Sequence, residues 1–264
     1  MRVTVCELPH EAEALGKAWA ALCAHASRAR SELVVLPELP FAPALWLEDA
    51  FDEAKWRAAE AAHERWLARL PELGAGSVIG TRPRTVGDGH SNEGFLWSAG
   101  EGLTPLRSKH YLPDEAEAWE ARWFTAGDRE FPAYAAGTLR FGLNICTELW
   151  ALESYGGYRA ANVDAVVAPR ATAGATTDKW LAIGTVGAVS AGAYCLSSNR
   201  VEPDGSCGGV GWIIDPDGAL LATTNADMPF ATVEIDLAKA RAASRTYPRY
   251  VFARPGSQPR DPRA

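Results

Sequence analysis

The sequence lacks the features that define several protein classes. Its five cysteines, at positions 6, 23, 146, 195 and 207, are odd in number and form no C-x-x-C pair, which argues against a disulfide framework or a structural zinc site. No stretch reaches the roughly 18 consecutive apolar residues of a membrane span, and the N-terminus lacks the basic start and apolar run of a signal peptide. We therefore expect a reduced, cytoplasmic protein that does not enter a membrane.

Positive charge is also scarce, and it is scattered along the chain. Lys and Arg number 26 against 33 Asp and Glu, which gives a net charge of −7. Because phosphate binding requires clustered positive charge, nucleic acid is not an expected partner. The apolar share of 47% over 264 residues is enough for one large α/β domain with a sizeable core. We expect a single domain over residues 1–264.

Short apolar strands alternate with amphipathic helices along the chain. Strand patterns occur at residues 2–6, 32–36, 77–81, 93–98, 104–108, 138–145, 163–168, 194–198, 209–214, 219–223 and 230–235. Helical spacing occurs at residues 11–28, 52–70, 148–159 and 177–191. This alternation predicts sheet covered by helices, while the Asp-Pro-Asp-Gly turn at 215–218 predicts an antiparallel hairpin. A layered α/β sandwich with mixed sheets fits both patterns.

The C-terminal segment from residue 247 to 264 differs in composition from the rest of the chain. It contains Pro248, Pro255, Pro259 and Pro262 together with several arginines. Proline at this density predicts an extended tail without regular structure. Such a tail is a candidate for packing on another subunit.

Three polar residues follow the ends of apolar strands. They are Glu38 in V-V-L-P-E-L-P, Lys109 in L-R-S-K-H-Y-L-P and Cys146 in F-G-L-N-I-C-T. Sites in open α/β sheets cluster at the carboxyl ends of strands, so we expect these side chains to lie close together.

Each of the three residues fits a catalytic role and also an ordinary structural one. Cys146 precedes a predicted helix, whose N-terminus would stabilise a thiolate and a developing oxyanion, although a buried free cysteine is common. Glu38, if partly desolvated, has a raised pKa and can act as a general base; it could instead be a solvated loop residue. Lys109 could stabilise negative charge on a carbonyl oxygen, or be a surface lysine.

The segments around these residues resemble the carbon–nitrogen hydrolase (nitrilase) superfamily, from the first strand to about Leu237. Leu36-Pro37-Glu38 matches the strand that ends in Pro-Glu, and residues 107–113, R-S-K-H-Y-L-P, match R-K-x-H-L-P. Residues 119–128, W-E-A-R-W-F-T-A-G-D, match Y-E-x-x-x-F-x-P-G-D. Residues 142–146, G-L-N-I-C, match G-x-x-I-C, and residues 199–201 and 208–218 match N-R-V and G-G-S-x-I-I-D-P-x-G. Matches at several places in the family's order are far more specific than any one of them.

The resemblance implies a fold and an activity. The fold is a four-layer αββα sandwich with two mixed sheets, whose subunits usually pair through their helices, so a homodimer is expected. The activity is hydrolysis of a non-peptide C–N bond in a small linear amide, without metal or cofactor. Cys146 would be the nucleophile, Glu38 the base and Lys109 the oxyanion stabiliser, while Glu120 would orient Lys109 or the substrate. Taken alone, Glu120 would read as a helix-surface carboxylate.

The residues after the cysteine depart from the family pattern and bear on the substrate. An aromatic residue and Asp commonly follow the cysteine, but here Thr147 and Glu148 do, and the acidic Glu148 resembles the nitrilase branch. The backbone N–H of Thr147 would help to bind the oxyanion. Leu149 and Trp150 stand where relatives that act on N-carbamoyl amino acids place arginines, which argues against that substrate.

Four residues are predicted to contact substrate: Thr147, Trp150, Trp119 and Arg170. Arg170, past the end of a strand, could pair with an anionic end of the substrate or be a surface arginine. The two tryptophans could line the pocket, although aromatic side chains near strand ends are more often core.

Four other functions compete with the amidase. The chain could be a nitrilase, an enzyme that transfers the acyl group to another nucleophile, a non-catalytic binding protein on the same fold or a redox protein with Cys146 as its thiol.

Overall fold

The computed structural model of the protein describes residues 1–243 and 245–252. The strands of this part are Arg2–Leu8 (β1), Leu33–Val35 (β2), Ser77–Val86 (β3), Gly89–Ser98 (β4), Gly102–Ser108 (β5), Ala133–Ala136 (β6), Leu139–Leu143 (β7), Ala165–Arg170 (β8), Tyr194–Arg200 (β9), Trp212–Ile214 (β10), Leu220–Thr223 (β11) and Phe230–Glu234 (β12). The helices are Ala12–Ala29 (α1), Glu53–Leu67 (α2), Glu120–Trp123 (α3), Leu152–Ala160 (α4), Thr177–Ala191 (α5), Leu237–Ala243 (α6) and Arg249–Phe252 (α7). Short 3-10 turns lie at Leu45–Leu47, Leu70–Leu73, Cys146–Trp150 and Gly174–Thr176.

The strands form one curled mixed sheet with two halves. Its main path runs β5-β4-β3-β2-β1-β9-β8-β7-β6, with β12 on β1 and with β10 and β11 beyond β9. Strand β1 joins the halves, because its first part pairs with β2 and β12 while Glu7 and Leu8 pair with Asn199 and Arg200 of β9. Parallel pairs (β1–β2, β2–β3, β7–β8 and β8–β9) therefore stand beside antiparallel hairpins.

Buried apolar side chains separate the structure into four layers. A central cluster joins the inner faces of the two half-sheets and includes Val5 and Ile79 from one half and Phe141 and Val167 from the other. Trp19 and its neighbours on α1 cover the outer face of the first half, and α5 covers the second. The sequence-based prediction of a helix–sheet–sheet–helix sandwich is confirmed.

Local sequence explains where the main helices begin and end. The Glu11 carboxylate accepts hydrogen bonds from the N–H groups of Glu13 and Ala14 at the start of α1, and Asp52 caps α2 through the N–H of Lys55. Helix α5 ends at Gly192, whose φ of 68° is left-handed. No helix in the described residues has the length and apolar character that crossing a membrane requires.

Several predicted elements differ from the observed ones. Strand β6 (Ala133–Ala136) was not predicted, because its alanines carry little apolar signal. The helix predicted at 148–159 is divided by Ala151 into the turn Cys146–Trp150 and helix α4. The predicted hairpin at 215–218 is confirmed, with Gly218 at a φ of 89° between β10 and β11.

The prediction of an extended tail from residue 247 is wrong for the part that the structure describes. Residues 249–252 form helix α7. The cause is Arg249, whose buried guanidinium donates to the carbonyl oxygens of Ala243 and Pro216 and pairs with Asp217. This arginine anchors the segment on the domain, while residues 253–264 of the predicted tail lie outside the described residues.

Gly142 offers a test of the packing beneath the nucleophile strand. A Cβ at this position would lie 2.3 Å from the ring of Tyr158, which is buried under β7 and donates to the carbonyl oxygen of Leu143. We expect Gly142→Ala to lower the free energy of unfolding by about 1–3 kcal/mol, as overpacking does. Gly16→Ala is the matched control, because nothing lies within 4 Å of its Cβ on α1 and alanine favours a helix by about 1 kcal/mol. Urea unfolding measures both, and equal stabilities would contradict the packing argument.

Candidate active site

Four polar residues meet where strands of both half-sheets end. Glu38 follows β2, Lys109 directly follows β5, Glu120 opens α3 and Cys146 opens the turn after β7. All four are buried, with exposed fractions of 2% for Glu38, 1% for Lys109, 5% for Glu120 and 4% for Cys146. Carboxylates and ammonium groups are rarely buried unless paired, so the cluster is a built site.

The ammonium group of Lys109 lies between two carboxylates. Its Nζ is 2.9 Å from Glu38 Oε1 and 2.8 and 2.6 Å from the two oxygens of Glu120. Burial alone would lower the pKa of Lys109, but the charges of Glu120 and Glu38 outweigh it and raise the pKa, so the lysine stays charged. Burial raises the pKa of Glu120 to about 7, against the opposing effect of Lys109. Sequence reasoning placed Glu38, Lys109 and Glu120 in one site, and the structure brings them into contact.

The Glu38 carboxylate is held by one of its two oxygens. Oε1 accepts hydrogen bonds from Lys109 Nζ at 2.9 Å and from Asn92 Nδ2 at 2.8 Å. Within residues 1–243 and 245–252, no protein donor bonds to Oε2. The backbone N–H of Glu38 donates to the carbonyl oxygen of Arg170 at 3.1 Å. This arrangement fixes the carboxylate and leaves one oxygen available to take a proton.

The Cys146 thiol is protonated at neutral pH. Burial raises its pKa well above the ordinary value; Glu38 and Glu120 raise it further, while Lys109 and the backbone N–H of Ala171 lower it. The helix predicted to begin after Cys146 is a five-residue 3-10 turn, and burial is the largest influence on the pKa of the thiol. Cys146 also has a φ of 51°, a left-handed conformation that points to a locally strained turn. A buried protonated thiol needs a base, and Glu38 is the neighbouring carboxylate with a free oxygen.

A buried ion pair ties the lysine strand to the cysteine turn. Both terminal nitrogens of Arg107 bond to Glu148, with NH2 at 2.9 Å from Oε1 and NH1 in close contact with Oε2. The same carboxylate accepts from the backbone N–H groups of His110 at 2.8 Å and Ile145 at 2.9 Å. In sequence Glu148 resembles the nitrilase branch, but four protein donors occupy its carboxylate. Its observed role is to hold the segments beside Lys109 and Cys146 together, and no local pattern indicated this pair.

The residues predicted to contact substrate occupy different environments. Thr147 is half-buried beside the nucleophile. Trp150 is 47% exposed, and its ring meets Trp180 edge-on at 5.8 Å. Trp119 is half-buried, and the Arg122 guanidinium lies 3.8 Å from the centre of its ring.

Arg170 is buried and bonded to protein. Its side chain donates to Ser197 Oγ and Thr172 Oγ1, both at 2.7 Å, and to the carbonyl oxygen of Val210 at 2.5 Å, and it lies 3.8 Å from the centre of the Trp212 ring. Burial lowers its pKa to about 9, while the nearby Cys146 raises it. The alternative of a surface arginine is wrong. The segment that begins at Arg170 borders both Glu38 and Cys146 through its backbone.

The four site residues are buried, and they lie apart from a cavity of the first half-sheet. A cavity of about 270 Å³ lies between α2 and β3, and its lining includes His63, Arg82 and Arg84 but none of the four site residues. Within the residues that the structure describes, no group of three or more His, Cys, Asp or Glu side chains is arranged to hold a metal ion.

The Arg107–Glu148 pair provides a test of how the site is held together. We expect Glu148→Gln to lower the free energy of unfolding by about 3–5 kcal/mol, because it leaves the buried Arg107 guanidinium without a counter-ion. The double variant Glu148→Gln/Arg107→Met should regain part of the lost free energy of unfolding, because it no longer buries an unpaired charge. Glu13→Gln is the control, because its exposed pair with Lys17 is worth less than about 1 kcal/mol. Chemical denaturation measures all four proteins, and a loss below about 1 kcal/mol for Glu148→Gln would contradict the argument.

Solved structures of known proteins share this fold. The structure of a carbon-nitrogen hydrolase from Helicobacter pylori G27 superposes with a TM-score of 0.82 at 18% identity, covering 95% of this chain and 94% of that one. XC1258 from Xanthomonas campestris, a CN-hydrolase superfamily protein with an arsenic adduct in its active site, gives 0.75 at 17% identity and 96% coverage of both chains. An amidase variant from Nesterenkonia sp. AN1 gives 0.75 at 19% identity, covering 96% and 95%. At these identities the likeness shows the fold.

The family itself is shown by sequence. No curated protein matches the chain significantly. The family model for carbon-nitrogen hydrolases, however, matches residues 2–245, which is nearly the whole chain. The protein belongs to the carbon-nitrogen hydrolase family.

Proposed function

We propose that this protein hydrolyses the C–N bond of a small linear amide through a thioester on Cys146. The observation that carries the proposal is the buried contact of Lys109 with Glu38 and Glu120 beside the Cys146 thiol. The site offers a nucleophile, a base and a fixed positive charge, which are the groups that two-step acyl transfer requires.

Similar solved structures support amide chemistry at the cysteine. A variant of the Nesterenkonia amidase carries the acetamide moiety of fluoroacetamide on its active-site cysteine, and a cysteine-to-alanine variant was solved in complex with butyramide. Both ligands are small, which suits a site whose four residues are buried.

The first half of the proposed mechanism forms the thioester. Glu38 takes the proton of Cys146 through its free oxygen, and the sulfur attacks the amide carbon. Lys109 and the backbone N–H of Thr147 stabilise the negative oxygen of the tetrahedral intermediate. The C–N bond then breaks, and Glu38 returns the proton to the leaving amine or ammonia.

The second half releases the acid. Glu38 takes a proton from water, and the water oxygen attacks the thioester carbon. The C–S bond breaks, the carboxylic acid leaves and the Cys146 thiol regains its proton. Glu120 keeps Lys109 in place throughout, which its two contacts with the ammonium group allow.

The substrate contacts are part of the same proposal. Thr147 and the aromatic rings of Trp119 and Trp150 would border the bound amide. Arg170, whose three hydrogen bonds go to protein atoms, lies near enough to Cys146 for the two charges to interact, and its two remaining N–H donors would pair with an anionic substrate group. The nitrilase alternative loses its one supporting feature, since Glu148 bonds to Arg107.

We also propose a cytoplasmic homodimer. A catalytic thiol must remain reduced, which is the reason for the location. Leu152 at the start of α4 and Val186 on α5 are exposed, and the two helices pack against each other, which supports a shared apolar face. A monomeric mass by light scattering would contradict the dimer.

The first experiment is ammonia release from a panel of amides, carbamoyl amines, ω-amides and nitriles, with wild type and Cys146→Ala side by side. We expect release from small linear amides that the substitution abolishes. Release from nitriles alone would establish the alternative activity. Silence across the panel, together with a Cys146 that resists alkylation, would favour a non-catalytic binding protein.

Glu38→Gln separates the base from the nucleophile. Because the Glu38 charge raises the pKa of Cys146, its removal should lower that pKa and move the pH profile of haloacetamide alkylation to lower pH. Ammonia release should fall by about 10²-fold or more, since the general base is lost. Alkylation is followed by mass spectrometry, with Cys146→Ala as the blank. An alkylation profile that stays in place or moves to higher pH would contradict the assigned electrostatics.

A further inference from the structure

Asn92 contacts two residues of the site from the neighbouring strand. It lies on β4, and its side chain is buried. Its Nδ2 donates to Glu38 Oε1 at 2.8 Å, and its backbone carbonyl oxygen accepts from the N–H of Lys109 at 2.9 Å. One residue therefore fixes both the carboxylate of the proposed base and the start of the lysine segment.

The contact decides which oxygen of Glu38 can react. Oε1 already accepts from Asn92 and Lys109, so its lone pairs are occupied. Oε2 bonds to no donor within the described part of the chain. The proton of Cys146 or of a water molecule therefore has one oxygen to go to.

The other end of the Asn92 amide has no partner. Oδ1 is buried and unbonded, and leaving a buried acceptor unsatisfied costs about 1–3 kcal/mol. Exchanging the two ends of the amide would not help, because Oδ1 would then face the Glu38 oxygen, another acceptor. Because Asn92 Oδ1 lies beside a reactive carboxylate, a donor that binds during the reaction would satisfy it.

We propose that Asn92 positions Glu38 and holds the hydrolytic water for the second half of the reaction. This inference rests on the proposed function. The water donates one O–H to Glu38 Oε2 and the other to Asn92 Oδ1, which leaves an oxygen lone pair for the thioester carbon. As the C–O bond forms, Glu38 takes the first proton, the C–S bond breaks and the proton passes to the sulfur.

The same acceptor serves the first half of the reaction. Water enters where the amine has left, so Asn92 Oδ1 also faces an N–H of the departing amine. In acylation the leaving nitrogen is already bonded to the carbon that carries the sulfur, so this step depends little on the contact with Asn92. In deacylation the attacking water has no such bond, so this step depends on Asn92 to orient the water. Loss of Asn92 should therefore slow deacylation more than acylation.

The test follows the acyl-enzyme with an amide that the wild type hydrolyses. Asn92→Ala should lower kcat by about 10²-fold, as misplacement of a reacting group does. Cys146 should then carry the acyl group in the steady state, seen as a mass increase, and ammonia should appear in a burst of about one per active site. Hydroxylamine, a stronger nucleophile than water, should restore turnover.

Asn92→Asp separates the two roles of the amide. It keeps an acceptor but loses the donor to Glu38 and adds a carboxylate beside it. Without the Asn92 donor the Glu38 carboxylate is no longer held in place, so acylation should slow by about 10²-fold, while the acceptor that remains should keep the acyl-enzyme from accumulating. Acylation at the wild-type rate would overturn the positioning role.

Glu93→Gln is the matched control. Its side chain lies on the same strand but on the other face of the sheet, where it pairs with Arg82 and Arg84. It should show no burst and no acyl-enzyme, whatever its stability. Thermal unfolding and titration of Cys146 with a haloacetamide count the folded sites of each variant.

Two outcomes overturn the inference, and a third separates it from the proposed function. Asn92→Ala with a reduced rate but no acyl-enzyme would remove the water-holding role, and unchanged kcat and KM would remove both roles. Wild-type protein that neither releases ammonia nor becomes acylated would contradict the proposed function itself, and the inference with it.

Discussion

The buried ammonium group of Lys109 is the interaction on which the site depends. Two carboxylates, Glu38 and Glu120, lie within 2.9 Å of it, and all three side chains are removed from water. Desolvation makes each charge costly on its own, so the cluster is favourable only when every member is in place. Burial, together with the neighbouring Glu38 and Glu120 carboxyl groups, raises the pKa of the Cys146 thiol and keeps it protonated. The electrostatics that stabilise the lysine thus create the need for a base.

Contacts outside this cluster set its geometry. The Arg107–Glu148 pair joins the segments on either side of the site, Asn92 fixes one oxygen of Glu38, and the backbone carbonyl of Arg170 receives the N–H of Glu38. These contacts come from both half-sheets, and β1 is the strand that holds the halves together. A rigid sheet on each side lets buried polar groups meet at hydrogen-bond distance without mobile loops, which is the condition for a preorganised site.

Burial also limits how the cysteine can react. A thiol with a raised pKa is a poor nucleophile until a neighbouring group removes its proton, so activity should depend on Glu38 rather than on a resting thiolate. The occupation of Glu148 by Arg107 removes the feature that had favoured nitriles, and the site keeps the thiol, the carboxylate and the fixed positive charge on which the proposed amide hydrolysis rests.

The sequence by itself determined the layered fold, the hairpin at 215–218 and the placement of Glu38, Lys109 and Cys146 at strand ends, because strand periodicity and turn chemistry are encoded by neighbouring residues. Glu120 came only from the resemblance to the family. The sequence did not determine the partner of Glu148, the role of Asn92 or the helix at 249–252. Arg107 and Glu148 are 41 residues apart, and Asn92 and Glu38 are 54 apart. Such pairs depend on strand register and on how the half-sheets meet, which only the tertiary structure decided.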